Sequence, residues 1–148
     1  MFEIRPATLG DLSAMVALLG ELFALERDFA FAPAKQEQGL RLLLEDPTAL
    51  LLVAASQDQV CAMVSLQTLI STAEGARVGL LEDLVVTKSM QGQGLGQALL
   101  AAVATWAQTQ DLPRIQLLAD QTNLPALEFY HRQGWQSTQI VALRRQFA

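Results

Sequence analysis

The stretch that most restricts this chain is Gln91-Gly92-Gln93-Gly94-Leu95-Gly96, three glycines in alternate positions between two apolar segments. The segment before it, 78–86, is a short apolar run and reads as a strand. The segment after it, 94–109, carries Leu95, Leu99, Leu100, Val103 and Trp106 at helical spacing. Glycines at such a strand-to-helix turn let the backbone approach a ligand closely and aim several N–H groups at it. The start of the helix adds positive potential at the same place. The turn is therefore suited to a pyrophosphate, with no basic side chain needed. Two familiar phosphate loops do not fit. A nucleotide-binding P-loop needs Lys and then Ser or Thr after its last glycine, and Gln97-Ala98 stands there. A dinucleotide fingerprint needs a third glycine where this chain has Gln97 in one register and Leu99 in the other. An ordinary glycine-rich turn is the alternative that the glycines alone leave open.

Around this turn the segments alternate in type. Residues 2–7 read as a strand, and Thr8 and Asp11 offer capping oxygens for a helix over 11–27. Pro33 opens a second helix that Pro47 ends. The continuous apolar run 49–55 reads as a buried strand, 60–70 as its hairpin partner, and 78–86 as a third strand. After the helix at 94–109 come a short strand at 115–118, a helix at 123–133 that stops at Gly134, and a closing strand at 140–143. A further strand near 135–138 fits the pattern. The order is βααβββαβαβ(β), an α/β fold with a mixed, mostly antiparallel twisted sheet flanked by helices. Residues 78–118 form its parallel strand–helix–strand unit. A chain of 148 residues without repeats or linkers is expected to be one domain, 1–148.

Composition narrows the function. The net charge of −5 and pI near 4.7 disfavour nucleic acid and lean towards a cationic ligand. No apolar run is long enough to span a membrane, and the opening residues lack the layout of a secretory signal, so a cytoplasmic location is expected. Cys61 is the only cysteine and His131 the only histidine. They make no metal site of a usual kind, and Cys61, in an apolar stretch, reads as a small buried hydrophobe.

Three separated motifs resemble the GNAT acetyltransferases. Gln91, Gly94 and Gly96 meet that family's Gln/Arg-x-x-Gly-x-Gly/Ala pattern for the coenzyme A loop. Ile4-Arg5-Pro6-Ala7-Thr8 with Asp11 is similar to its usual opening. Asn123-Leu124-Pro125-Ala126-Leu127-Glu128-Phe129-Tyr130, then Gly134-Trp135, resembles its second signature, with Trp where Phe is usual. The strand Leu81-Glu82-Asp83-Leu84-Val85-Val86 resembles the family's fourth strand, and in particular that of the spermidine/spermine acetyltransferases.

The resemblance implies an enzyme that moves acetyl from acetyl-CoA to a primary amine, with a small polyamine-like or other amine metabolite as acceptor. It implies that strands 78–86 and 114–118 splay apart around the pantetheine arm. Leu84, Val85 and Val86 then bind the arm along the strand, and Gln91, Gly92, Gln93, Gly94, Leu95, Gly96 and Gln97 bind the pyrophosphate. Edge strands at the C-terminus imply a homodimer. The alternatives are a non-catalytic acyl-CoA-binding sensor or subunit and a protein or peptide N-acetyltransferase.

The chemistry needs few groups. An alkylammonium, with a pKa of about 10, must lose a proton before it attacks, and the departing thiolate gains from a proton donor. Tyr130 is the resemblance's candidate donor, against the reading of a core aromatic. Asn123, seven residues earlier on the same helix face, reads equally as helix N-cap and as coenzyme contact. Glu82 and Asp83 are adjacent carboxylates in an apolar strand, where burial without purpose or partner is expensive. Alternation sends them to opposite faces unless a bulge intervenes. The resemblance suggests Glu82 as water-relayed base and Asp83 as ammonium anchor. Glu26, Asp28, Phe29 and Phe31 fall where the family often shapes the acceptor site, with Phe29 and Phe31 reading rather as core or lid packing. His131 and Glu74 read as surface residues.

Overall fold

The computed structural model describes residues 1–26 and 28–147. It divides into two compact units, Met1–Leu117 and Leu118–Ala148.

The first unit is built on a five-stranded sheet in the order β1-β2-β3-β4-β5. Its strands are β1 (Glu3–Pro6), β2 (Leu50–Ser56), β3 (Gln59–Ser71), β4 (Ala76–Val86) and β5 (Ile115–Leu117). The first four are antiparallel in sequence, and β5 runs parallel to β4. Two helices, α1 (Leu12–Leu25) and α2 (Pro33–Glu45), pack together on one face, and α3 (Leu95–Thr109) packs against β2, β3 and β4. Strand alternation serves both sides. Leu51, Val53, Met63 and Val85 join Met15, Leu18, Leu19 and Leu40 in one core. The alternate positions Leu52, Val64 and Leu66 are equally buried, as are Leu95, Leu99 and Val103 of α3. With both faces covered, β2 is buried along its whole middle, which is why it reads as an unbroken apolar run. Close approach is needed at Gly79, where an added Cβ would stand 2.8 Å from Ile115 Cγ2 and 3.0 Å from Leu66 Cδ1.

The first helix starts as expected, with Asp11 at its N-cap position, but the Asp11 side chain does not cap it. Asp11 belongs to a short 3-10 turn, Leu9–Asp11, and its carboxylate turns back from α1. It takes both Arg5 guanidinium nitrogens at 2.8 and 2.9 Å, and Thr8 N at 2.8 Å. These charge-assisted bonds are led by the one to Arg5, and they hold the buried carboxyl down at about 2. The helix ends at Leu25, and Arg27, the last residue of the expected span, lies outside the described residues.

The second unit holds α4 (Leu124–Arg132). The strand expected at 140–143 does not form, nor does one at 135–138. Ile140, Val141 and Leu143 are exposed. Apolar composition supplies a surface that suits a sheet, but a strand exists only through a ladder with a neighbour, and no ladder among the described residues includes these positions.

Candidate active site

The β3–β4 ladder contains the central irregularity. Met63 pairs with Val85 and Ser65 with Glu82, so one residue of β3 faces two of β4, Asp83 and Leu84. This is a β-bulge, and Asp83 takes the left-handed conformation within it, at φ 55°. Asp tolerates that conformation better than most residues. The extra residue breaks strict alternation, and Glu82 and Asp83 line the same cavity. The cavity has a volume of about 440 Å³. It is walled by Leu19 and Phe23 of α1, Phe29, and Lys35, Leu40 and Leu43 of α2, with Gln67 of β3 beside the carboxylates.

Asp83 is half-buried there. Its carboxyl is pushed up to about 6, first by burial and then by the charges of Glu82 and Glu26. The Phe29 ring stands against Phe23 at 5.7 Å between centroids. The Phe31 ring covers Gly20 of α1, at 3.1 Å from where a Cβ would sit. Both rings are 46% exposed; Phe29 lines the cavity, and Phe31 packs on α1 outside its lining.

Beyond the bulge, no described strand pairs with the outer edge of β4. β5 pairs with Gly79, Leu80 and Leu81 and does not accompany residues 82–86. Thr87 N donates to Cys61 O at 2.8 Å, so alternation turns the peptide groups of Val86 away from β3. On that edge Gln91 Nε2 donates to Val86 O at 3.1 Å, folding the glycine turn back on the strand. Val85 points into the core.

The turn itself is held by residues that the sequence did not single out. Glu21 of α1 accepts from Thr87 Oγ1 at 2.8 Å and from Lys88 N at 3.0 Å. Gly92 and Gly94 have φ of 79° and 84°, and nothing lies within 4 Å of a Cβ built on either. Their glycine character therefore answers to backbone conformation and leaves open space. Gly94 precedes α3, and no side chain caps that helix. The N–H groups of Leu95, Gly96 and Gln97 thus have no intrahelical acceptor. N–H donors without an intrahelical acceptor at the start of a helix suit a phosphate. Gln93 is exposed in the same turn.

In the second unit, Asn123 is the N-cap of α4, its Oδ1 accepting from Ala126 N at 3.2 Å. Tyr130 stacks edge-on with Phe129 and Trp135, at 5.5 and 6.0 Å between centroids. His131 is exposed and meets Ser137 Oγ at 3.1 Å. Glu74 lies in the β3–β4 turn, 3.8 Å from Arg114. Cys61 is buried and its Sγ donates to Ala54 O at 3.3 Å.

The acetyltransferase (GNAT) family model matches residues 17–135. Aminoalkylphosphonate N-acetyltransferase of Salmonella typhimurium is 29% identical over 137 residues, covering 92% of this chain and 86% of that protein. The aminoglycoside 6'-N-acetyltransferase of Acinetobacter haemolyticus shares the fold with a TM-score of 0.82 at 23% identity, covering 99% of both chains. Glucosamine-6-phosphate N-acetyltransferase of Arabidopsis thaliana does so with a TM-score of 0.79 at 17% identity, covering 100% of this chain and 99% of that one. With a glycine turn into an uncapped helix and a match over most of its length, the chain belongs to the acetyltransferase (GNAT) family. It is an acetyl-CoA-dependent N-acetyltransferase.

Proposed function

We propose that this enzyme transfers acetyl to the primary amine of a small molecule by direct attack on acetyl-CoA, within one domain that includes both units. The observation that carries the reading is the β4 bulge, with Glu82 and Asp83 on a single cavity. Two carboxylates attract an alkylammonium. Asp83 anchors it, and Glu82 takes its proton through a water. The neutral nitrogen then attacks the thioester carbonyl, and a backbone N–H receives the developing oxyanion. Collapse expels the thiolate, to which Tyr130 gives its phenolic proton, while the nitrogen loses its second proton to water as the amide forms, and the Tyr130 phenolate is reprotonated from solvent. The outer edge of β4 at Leu84 and Val86, with Val85 between them, receives the pantetheine arm. The turn from Gln91 to Gln97 receives the pyrophosphate, and Asn123 adds a coenzyme contact to its capping role.

One observation favours a second reading with the two carboxylates exchanged. A carboxyl pushed up to about 6 suits proton transfer near neutral pH, and this makes Asp83 the base and Glu82 the anchor.

The likeness of Leu81-Glu82-Asp83 to the spermidine/spermine enzymes supports a polyamine or diamine acceptor. The names of the relatives put aminoalkylphosphonates, aminoglycosides and amino sugars beside it. A cytoplasmic homodimer completes the proposal. The test is release of coenzyme A, followed by thiol colorimetry, with acetyl-CoA and a panel of these amines. Amine-dependent release supports the reading, and its pattern ranks the acceptors. No release with any amine, despite measured acetyl-CoA binding, overturns it.

A further inference from the structure

Among the described residues, Asp11 and Ser65 are the buried polar side chains, and Ser65 is 1% exposed. Ser65 stands directly across from Glu82, where the β3–β4 register slips, and its Oγ donates to the Glu82 carbonyl at 3.2 Å. Paired residues point to the same face of a sheet. Ser65 therefore follows Met63 of the α1-side core and precedes Gln67 of the cavity wall. Its neighbours Val64 and Leu66 are fully buried and have no side-chain donor. A hydroxyl in this apolar row adds a bond at the place where the bulge disturbs the ladder. The next residue of β4, Asp83, holds a left-handed backbone, which persists in a non-glycine residue only when its surroundings over-determine it.

We infer that Ser65 is a positioning residue. Its hydroxyl pins the β4 bulge through the Glu82 carbonyl and so keeps both carboxylates on the cavity; their work there rests on the acceptor reading just given. Without that bond the bulge can migrate along β4. A shift of one residue exchanges the faces of neighbouring side chains, so one carboxylate leaves the cavity. The charged groups around Asp83 are Glu82 on its own strand, Glu26 after α1, and Lys35 and Asp46 on the α2 side of the cavity. None of them is altered by a change at Ser65, so a change in Asp83 titration reports the bulge.

The experiment compares Ser65→Ala and Ser65→Thr with the wild type, using ¹³C-carboxyl NMR titration of Asp83 without substrate, alongside acceptor and acetyl-CoA kinetics. Ser65→Ala is expected to lower the Asp83 midpoint towards the ordinary carboxylate range. It should reduce acceptor kcat/KM by about tenfold, the loss of one modest hydrogen bond, with the acetyl-CoA KM unchanged. Ser65→Thr, which keeps the hydroxyl, should restore both. An unmoved midpoint in a folded Ser65→Ala protein, or a Ser65→Thr protein as altered as Ser65→Ala, overturns the inference. If Ser65→Ala does not fold, Ser65→Cys, with similar bulk and a weaker donor, decides by the same midpoint. The titration needs no turnover. An enzyme inactive with every amine would therefore count against the acceptor reading, while the midpoint still judges Ser65.

Discussion

A carboxylate held away from water beside two others costs stability, and Asp83 is such a group. Its folded-state pKa, about 6, lies above the ordinary value of 3.8. The folded protein thus binds more protons than the unfolded chain between those values, and Asp83 lowers stability as pH rises through them. Asp83→Asn keeps the shape and tolerates the left-handed backbone. It should stabilise the protein by about 1–3 kcal/mol at pH 7 and by little at pH 4, read as melting temperature at the two values. The same change should cut acceptor kcat/KM by about 100-fold, and in wild type kcat/KM should fall below about pH 6. Retention of that acid limb in Asp83→Asn would assign it to another group. Tyr130→Phe should lower kcat by about 10–100-fold with the acetyl-CoA KM nearly unchanged. An unchanged rate of chemistry in single-turnover measurements would remove Tyr130 from the reaction.

Elements carry the coenzyme half of the site. Gly94→Val places a β-branched residue at φ 84°, which costs roughly 1–3 kcal/mol of backbone strain. Relief of that strain should move the first N–H groups of α3. The acetyl-CoA KM is expected to rise by about tenfold or more while circular dichroism shows a folded protein; an unchanged KM would exclude the turn from pyrophosphate binding. Most elements were legible in the sequence because their signals are local. Pro33 and Pro47 bracket α2, and the alternate glycines mark the entry to α3. The bulge was legible only as a condition on the pair Glu82-Asp83. What fixes it is Ser65, 17 positions away along the chain, and a lone serine in a strand has no mark of that duty. Glu21 was silent for the same reason, since its partners lie 66 and 67 residues on. The closing strand was over-read because β-propensity records fitness for a sheet, not the presence of a neighbour.

At the scale of the molecule, two aspartates oppose each other. Asp11, held at about 2 against an ordinary 3.8, contributes stability that is complete above about pH 4 and lost as pH falls through 2. Its loss amounts to about 2 kcal/mol. With Asp83 acting in the opposite sense from about pH 4 upward, these two groups together favour greatest stability near pH 4. Asp11→Asn should flatten the acid side of a melting-temperature profile, and an unchanged acid side would locate the loss elsewhere. The buried Cys61 has a practical consequence. Burial raises its thiol above the ordinary range and shields it between β2 and β3, so the native enzyme should be silent to disulfide dyes. Colour in the turnover assay then counts product alone, and one equivalent of protein thiol appearing with time is a clock for the opening of the β2–β3 hairpin.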